Sequence, residues 1–204
     1  MKREMTFTAA STRGTVGVWI LLTILPWLGC TRMSEHIKDK SVGMNGGFEH
    51  TQSGLPVNWL VYSPSTIPTG NYELIFDRTD SKEGNQSLRF FVHECSATGG
   101  WHSPGISQEY PAIPGESYLI SFWIKNEGCE YVVEVGGVDA KTGQSEIIVS
   151  SKETTDSWKH TEHAFTMPQG YETIRFDLSI RSPGSLWIDD VKIEHINSEG
   201  GQGE

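Results

Sequence analysis

The chain has 204 residues, a formal net charge of −10 and 21 aromatic side chains, set among 22 glycines and 9 prolines. That length suffices for one domain with a sizeable core, and an acidic balance with no basic stripe argues against nucleic acid as a partner. Many Thr, Ser and Val residues beside the aromatics favour strands and turns over helices.

Lys2, Arg3 and Arg13 give a basic start, and Val18 to Leu28 is then apolar apart from Thr23. The run is too short for a helix crossing a bilayer, which takes about 20 apolar residues. It fits the apolar centre of a secretory signal over residues 1–29. The ending Leu25-Pro26-Trp27-Leu28-Gly29-Cys30 resembles a bacterial lipobox. In such signals the cysteine becomes the lipidated first residue, so the resemblance implies lipidation at Cys30 and a cell-envelope protein held at a bacterial membrane. Gly29 and Cys30 match, whereas Trp27 stands where a small aliphatic residue is usual and Pro26 is uncommon. Ordinary secretion and an uncleaved anchor are the alternatives. Cleavage before Cys30 removes three basic residues and Glu4, which leaves a formal charge of −12. Residues 30–42 read as a polar tether, 43–195 as the folded domain, and 196–204 as a tail too polar to pack.

From Gly43 onward short strands alternate with turns. Strands are expected around Trp59–Tyr62, Tyr72–Phe76, Ser87–Val92 and Ile106–Tyr110. Pro114-Gly115 marks a turn. In the strand Tyr118–Lys125, Tyr118, Ile120, Phe122 and Ile124 share one face, and Ser121, Trp123 and Lys125 the other. Tyr131–Val135, Glu146–Ser150 and Ser157–Thr166 follow. Tyr171–Arg181 alternates almost perfectly, with Ile174, Phe176, Leu178 and Ile180 against Arg175, Asp177, Ser179 and Arg181. Eight to ten such strands argue for an all-β sandwich or barrel.

The closing strand, Ser185–Glu194, carries a problem of charge. Strict alternation puts Trp187, Asp189, Val191 and Ile193 on one face, so Asp189 is a carboxylate among apolar neighbours. It needs a partner, a hydrogen bond or a metal, because a bare buried carboxylate costs several kcal/mol. The nearest candidates in kind lie in Asn45-Gly46-Gly47-Phe48-Glu49, at the domain's other end. Cys95 and Cys129 fall near strand ends, and export would let them form a disulfide. The alternative is two unpaired, partly buried thiols.

Several segments resemble the carbohydrate-binding modules of the CenC-like, family four/nine type. The opening Met44-Asn45-Gly46-Gly47-Phe48-Glu49 with Pro56 and Trp59, the strand Gly84-Asn85-Gln86-Ser87-Leu88-Arg89-Phe90, and Pro114-Gly115-Glu116-Ser117-Tyr118-Leu119-Ile120-Ser121-Phe122-Trp123 occur in that family's order. Trp158 with Phe165-Thr166-Met167-Pro168, and the close Leu186 to Ile193, complete the set. The resemblance implies a jelly-roll β-sandwich of two antiparallel sheets that binds a polysaccharide or other glycan. It also implies a structural calcium ion, Ca2+, where first and last strands meet. Carried over residue by residue, the ligands would be the Gly47 carbonyl, Glu49, Asp80, the Asn85 carbonyl and Asp189. Glu83 is an alternative to Asp80, and Asp190 to Asp189. Calcium takes 6–8 oxygens, a demand that such a set would meet.

Sugars stack their CH faces on aromatics and offer hydroxyls to planar polar groups. Trp123 on a polar face, Trp101 in a Gly-rich loop, and Arg175 and Asp177 are therefore the expected ligand-binding residues, with Gln108 and Tyr110 as weaker ones. Trp59, Trp158 and Trp187 are expected in the core. Catalysis lacks its groups. Asp189 and Asp190 are adjacent on a strand and point apart, so they cannot flank a glycosidic bond as a pair. His160-Thr161-Glu162-His163 has the wrong spacing for the helical zinc motif. The expected function is non-catalytic carbohydrate binding. The alternative is a structural or adhesive envelope protein that uses the same sandwich to contact other proteins.

Overall fold

A computed structural model describes residues 36–62, 70–98 and 102–196. Cys30, Trp101, the 1–29 signal and residues 197–204 lie outside the described residues. Strands β1 (Thr51–Gln52) and β2 (Leu55–Pro56) form a small hairpin, and β3 (Leu60–Val61) follows. Then come β4 (Gly70–Asp77), β5 (Ser87–Cys95), β6 (Gly105–Pro111), β7 (Ser117–Glu127) and β8 (Tyr131–Val138). The remainder are β9 (Gly143–Ser151), β10 (Lys159–Thr166), β11 (Thr173–Ile180) and β12 (Gly184–His195). The first sheet has the order β10-β7-β12-β5-β4, the second β3-β6-β11-β8-β9, and the pairings are antiparallel.

The two sheets pack face to face as a β-sandwich. Alternation built the core as expected. Ile120, Phe122 and Ile124 of β7 face Ile174, Phe176 and Leu178 of β11, all buried. Phe122 and Phe176 meet edge-on across the sheets, with ring centroids 5.5 Å apart, and Trp59 adds a second edge-on contact to Phe176 at 5.9 Å. Such pairs are worth about 0.5–1.5 kcal/mol beyond the area they bury.

Strand β12 departs from strict alternation. Its register with β7 shifts between Asp189 and Lys192, so that Asp190 and Val191 together oppose Phe122. The extra residue, Asp190, takes a left-handed backbone with φ 51°. This bulge reverses the faces. Leu186 and Ile188 before it, and Val191 and Ile193 after it, all join the core, while Trp187 and Asp189 belong to the outer face. Asp189 is nevertheless fully buried, under the loop that joins β4 to β5. The apolar-face argument for Asp189 therefore named the wrong cover, though it found the right burial.

The domain starts earlier than residue 43. His36 forms an isolated bridge to Leu60, Asn58 N donates to the Ile37 carbonyl, and Lys40–Val42 make a 3-10 turn capped by Asp39. Asn58 Nδ2 in turn donates to the carbonyls of Asp39 and Gly43. Residues 36–42 are thus part of the fold rather than a tether. Cys95 and Cys129 are free thiols, not a disulfide. Cys129 lies in the core, and burial pushes its thiol up to about 12, which leaves it inert as a nucleophile.

Candidate functional site

The antiparallel register of β6, β11 and β8 lines up polar side chains on the outer face of the second sheet. Asp177 stands opposite Ser107 on one side and Glu134 on the other. Arg175 stands opposite Glu109 and Gly136, so no side chain rises beside the guanidinium on the β8 side. Arg175 Nε and Nη2 both donate to Glu109 Oε1, at 3.2 and 2.6 Å. The Tyr62 hydroxyl, from the end of β3, donates to Asp177 Oδ2. The Tyr72 hydroxyl of β4 donates to the Tyr62 carbonyl, which braces Tyr62 from the other sheet.

A cleft of about 990 Å³ opens over these groups, lined by Arg175, Asp177, Ser107, Glu109, Tyr62 and Tyr110. The segment around His36, Lys38 and Met44 forms a further wall. Burial pushes the Asp177 carboxyl up to about 6; the Glu134 charge pushes the same way, against the Tyr62 hydrogen bond and the Arg175 charge. Tyr62 is held neutral by burial and by the adjoining carboxylate. The cleft thus offers carboxylates and a guanidinium with fixed directions, beside aromatic surface.

Of the residues expected to bind ligand, the structure brings Arg175 and Asp177 into this cleft. Trp123 is not there. It lies on the outer face of the first sheet, with Lys82 Nζ 3.9 Å above its ring and His160 stacked on it at 4.4 Å and 26°. Those two neighbours cover part of the ring, and Trp123 stands on the other sheet from the cleft. Trp158 and Trp187 stand on that outer face, Trp187 buried there as expected but outside the inter-sheet cluster: Trp158 Nε1 donates to Asp80 and Trp187 Nε1 to Asp77. Arg89 and Lys125 both stand over the Trp187 ring, at 4.5 and 4.6 Å. Sequence reasoning missed Tyr62, Glu109, Glu134 and His36. The polar alternation of Ser107 and Glu109 on β6 was the one available signal.

The three carboxylates among the expected calcium ligands each accept hydrogen bonds. Asp189 Oδ2 accepts the backbone N–H groups of Lys82 and Glu83, at 2.7 and 3.0 Å. Its Oδ1 accepts Asp190 N–H at 2.8 Å. Glu49 Oε1 accepts the N–H groups of Asn85 and Gln86, and Oε2 accepts Asn85 Nδ2. Burial works against ionising Glu49, but these donors outweigh it and hold the carboxyl below the usual range. Asp80 points elsewhere, to Lys125 Nζ at 2.9 Å and Trp158 Nε1 at 2.7 Å. Asp190 bonds Lys192 at 2.6 Å, and its hydrogen bond to Glu83 raises the Glu83 carboxyl. Among the described residues no three His, Cys, Asp or Glu side chains converge as metal ligands. Of the five, Asp80 is turned away, while Asp189 Oδ1, the Glu49 side chain and Glu83 Oε2 lie around Gly47.

A two-sheet antiparallel sandwich with a polar and aromatic cleft on one face defines a β-sandwich binding module. Residues 40–185 match the family described as "Carbohydrate binding domain", and the chain belongs to that family. Solved structures share the fold. The C-terminal family 22 carbohydrate-binding module of Clostridium thermocellum Xyn10B has 15% identity and a TM-score of 0.54, covering 75% of this chain and 93% of that chain. The CBM22-1 xylan-binding domain of Paenibacillus barcinonensis Xyn10C has the same figures. The C. thermocellum xylanase 10B chain with CBM22-1 and GH10 modules, complexed with xylohexaose, has 17% identity and a TM-score of 0.53. It is matched over 70% of this chain and 26% of its own. The comparison with curated proteins returns no match.

Proposed function

We propose that this module holds a polysaccharide in the cleft over β6, β11 and β8, without cleaving it, at a cell surface to which Cys30 anchors it by lipid. The observation that carries the reading is the fixed set Arg175–Glu109 and Tyr62–Asp177 on the floor of a cleft large enough for several sugar rings. The guanidinium keeps N–H donors beyond those given to Glu109, and the two carboxylates accept hydroxyls. The Tyr110 ring offers surface for a sugar CH face. Solved relatives include xylan-binding domains and a complex with xylohexaose, so xylan is the first polysaccharide to try.

A glycan array probed with the wild-type chain and an Arg175→Ala/Asp177→Ala double variant tests the site. The double variant is expected to bind at least tenfold more weakly, the loss of about 1.4 kcal/mol or more. A Trp123→Ala variant is expected to bind like wild type. Undiminished binding by the double variant would remove the cleft from consideration. Failure of wild type to bind any glycan would move the module to the adhesive role.

A further inference from the structure

Taking the cleft as the polysaccharide site proposed above, we infer that it selects an acidic polymer, one bearing uronate carboxylates, and that Lys38 and Lys40 on its wall recognise that charge. The chain as a whole is acidic, and such a surface repels a polyanion. The cleft is the exception. The chain holds 16 Lys and Arg against 26 Asp and Glu, yet three of the former, Lys38, Lys40 and Arg175, line the cleft beside only two of the latter, Glu109 and Asp177. Both of those acids are engaged, Glu109 by Arg175 and Asp177 by the Tyr62 hydroxyl. A locally positive cleft on an acidic molecule gives its ligand choice a sign, because complementary charge sets specificity more than raw affinity.

The wall is built to present those lysines. His36 bridges Leu60, Asn58 N–H donates to the Ile37 carbonyl at 2.6 Å, and Asp39 N–H donates to Asn58 Oδ1 at 2.7 Å. Asp39 is extended, with φ −139° and ψ 106°. Successive side chains of an extended segment point to opposite sides. His36, Lys38 and Lys40 accordingly line the cleft, whereas Ile37 and Asp39 do not. The acid between the two lysines is held by its own turn, Asp39 Oδ1 accepting the Ser41 N–H and hydroxyl at 2.9 and 2.6 Å. Lys125, Lys152, Lys159 and Lys192 each pair with a carboxylate, but among the described residues neither Lys38 nor Lys40 has such a partner. Burial first, and the Lys38 charge second, hold the His36 imidazole below its usual range, so the Lys38 charge is felt at the cleft wall.

Binding of the full chain to glucuronoxylan and to pectate, each beside the same polymer with its carboxylates reduced to alcohols, is the test. Wild type is expected to bind at least one acid form about fivefold or more tightly than its reduced form at low salt, and the ratio should shrink in half-molar salt as screening weakens the charge contact. Lys38→Ser/Lys40→Ser should bring that ratio to about one, with its urea midpoint at the wild-type value because both side chains are exposed. A ratio of about one for wild type would overturn the inference. The cleft itself survives that result if Arg175→Ala/Asp177→Ala loses the reduced polymers, and falls with it if that variant keeps them. An acid preference that persists in the lysine double variant would overturn the role of the wall. Wild type binding none of these polymers would overturn the inference as well, while a neutral glycan bound on the array would still leave the cleft as a sugar site.

Discussion

Asp177 carries the clearest single-residue consequence. Its carboxyl is pushed up to about 6 from an ordinary 3.8, chiefly by burial and then by Glu134, while Tyr62 and Arg175 oppose the shift. A raised folded value means that the folded chain holds this proton more tightly than the unfolded chain. The contribution to stability is therefore full below about pH 4 and is lost as pH rises through about 6. Asp177→Asn keeps an acceptor for Tyr62 and removes the charge. It is expected to be more stable than wild type at pH 7.5, by about 1–3 kcal/mol, with the gap closing toward pH 4.5. Urea unfolding of both proteins at the two pH values measures this, and a gap that does not change with pH would contradict the assignment. Asp177 and Arg175 could be read from sequence because they stand on the polar face of a long alternating strand. Trp123 met the same criterion and lies on the other sheet, away from the cleft. What covers an outer face is decided by residues far away in the chain, here Lys82 and His160, and no local pattern records them.

At the scale of elements, β7 and β11 were legible because four apolar residues in a row alternate along each, Tyr118 to Ile124 and Ile174 to Ile180. β12 was legible as a strand but not as a bulged one. Trp187, Asp189, Val191 and Ile193 alternate regularly in the sequence, and the inserted Asp190 shows only in the pairing with β7. The bulge is tied to the opening segment. Val191 N–H donates to the Gly46 carbonyl at 3.1 Å, and a Cβ on Gly46 would lie 1.8 Å from the Val191 carbonyl oxygen. Backbone atoms cannot yield as a flexible side chain can, so Gly46→Ala must push the opening segment off β12. The expected loss is about 1–3 kcal/mol or more, the range for overpacking a tight contact. Equilibrium urea unfolding would show it, and a change below about 0.5 kcal/mol would mean that the two segments are not in contact. The same contact brings the opening segment against the last strand, where N–H groups also meet the Glu49 and Asp189 carboxylates. Sequence displays the carboxylates, but the N–H groups that meet them belong to every residue and leave no mark in composition.

For the whole molecule, the charge distribution decides how it can stay at a membrane. With the signal removed the chain carries a formal −12, and an anionic bilayer surface repels it. Among the described residues no helix is long and apolar enough to cross a bilayer. The proposed lipid anchor would hold the chain through acyl chains, each contributing about 0.8 kcal/mol per buried methylene, and one chain alone holds a protein only marginally. The lipobox resemblance around Leu28-Gly29-Cys30 would put that anchor on Cys30, which lies outside the described residues. Cells fed labelled palmitate should incorporate label into the wild-type chain and not into Cys30→Ser. The variant should also leave the membrane fraction, while wild type stays there in molar salt, since screening weakens charge attraction and leaves apolar burial intact. Label retained by Cys30→Ser would place the lipid elsewhere, and release of wild type by salt alone would replace the anchor with an electrostatic contact. The cleft-binding reading stands or falls separately, because Arg175 and Asp177 belong to the folded domain and can be assayed on the soluble variant.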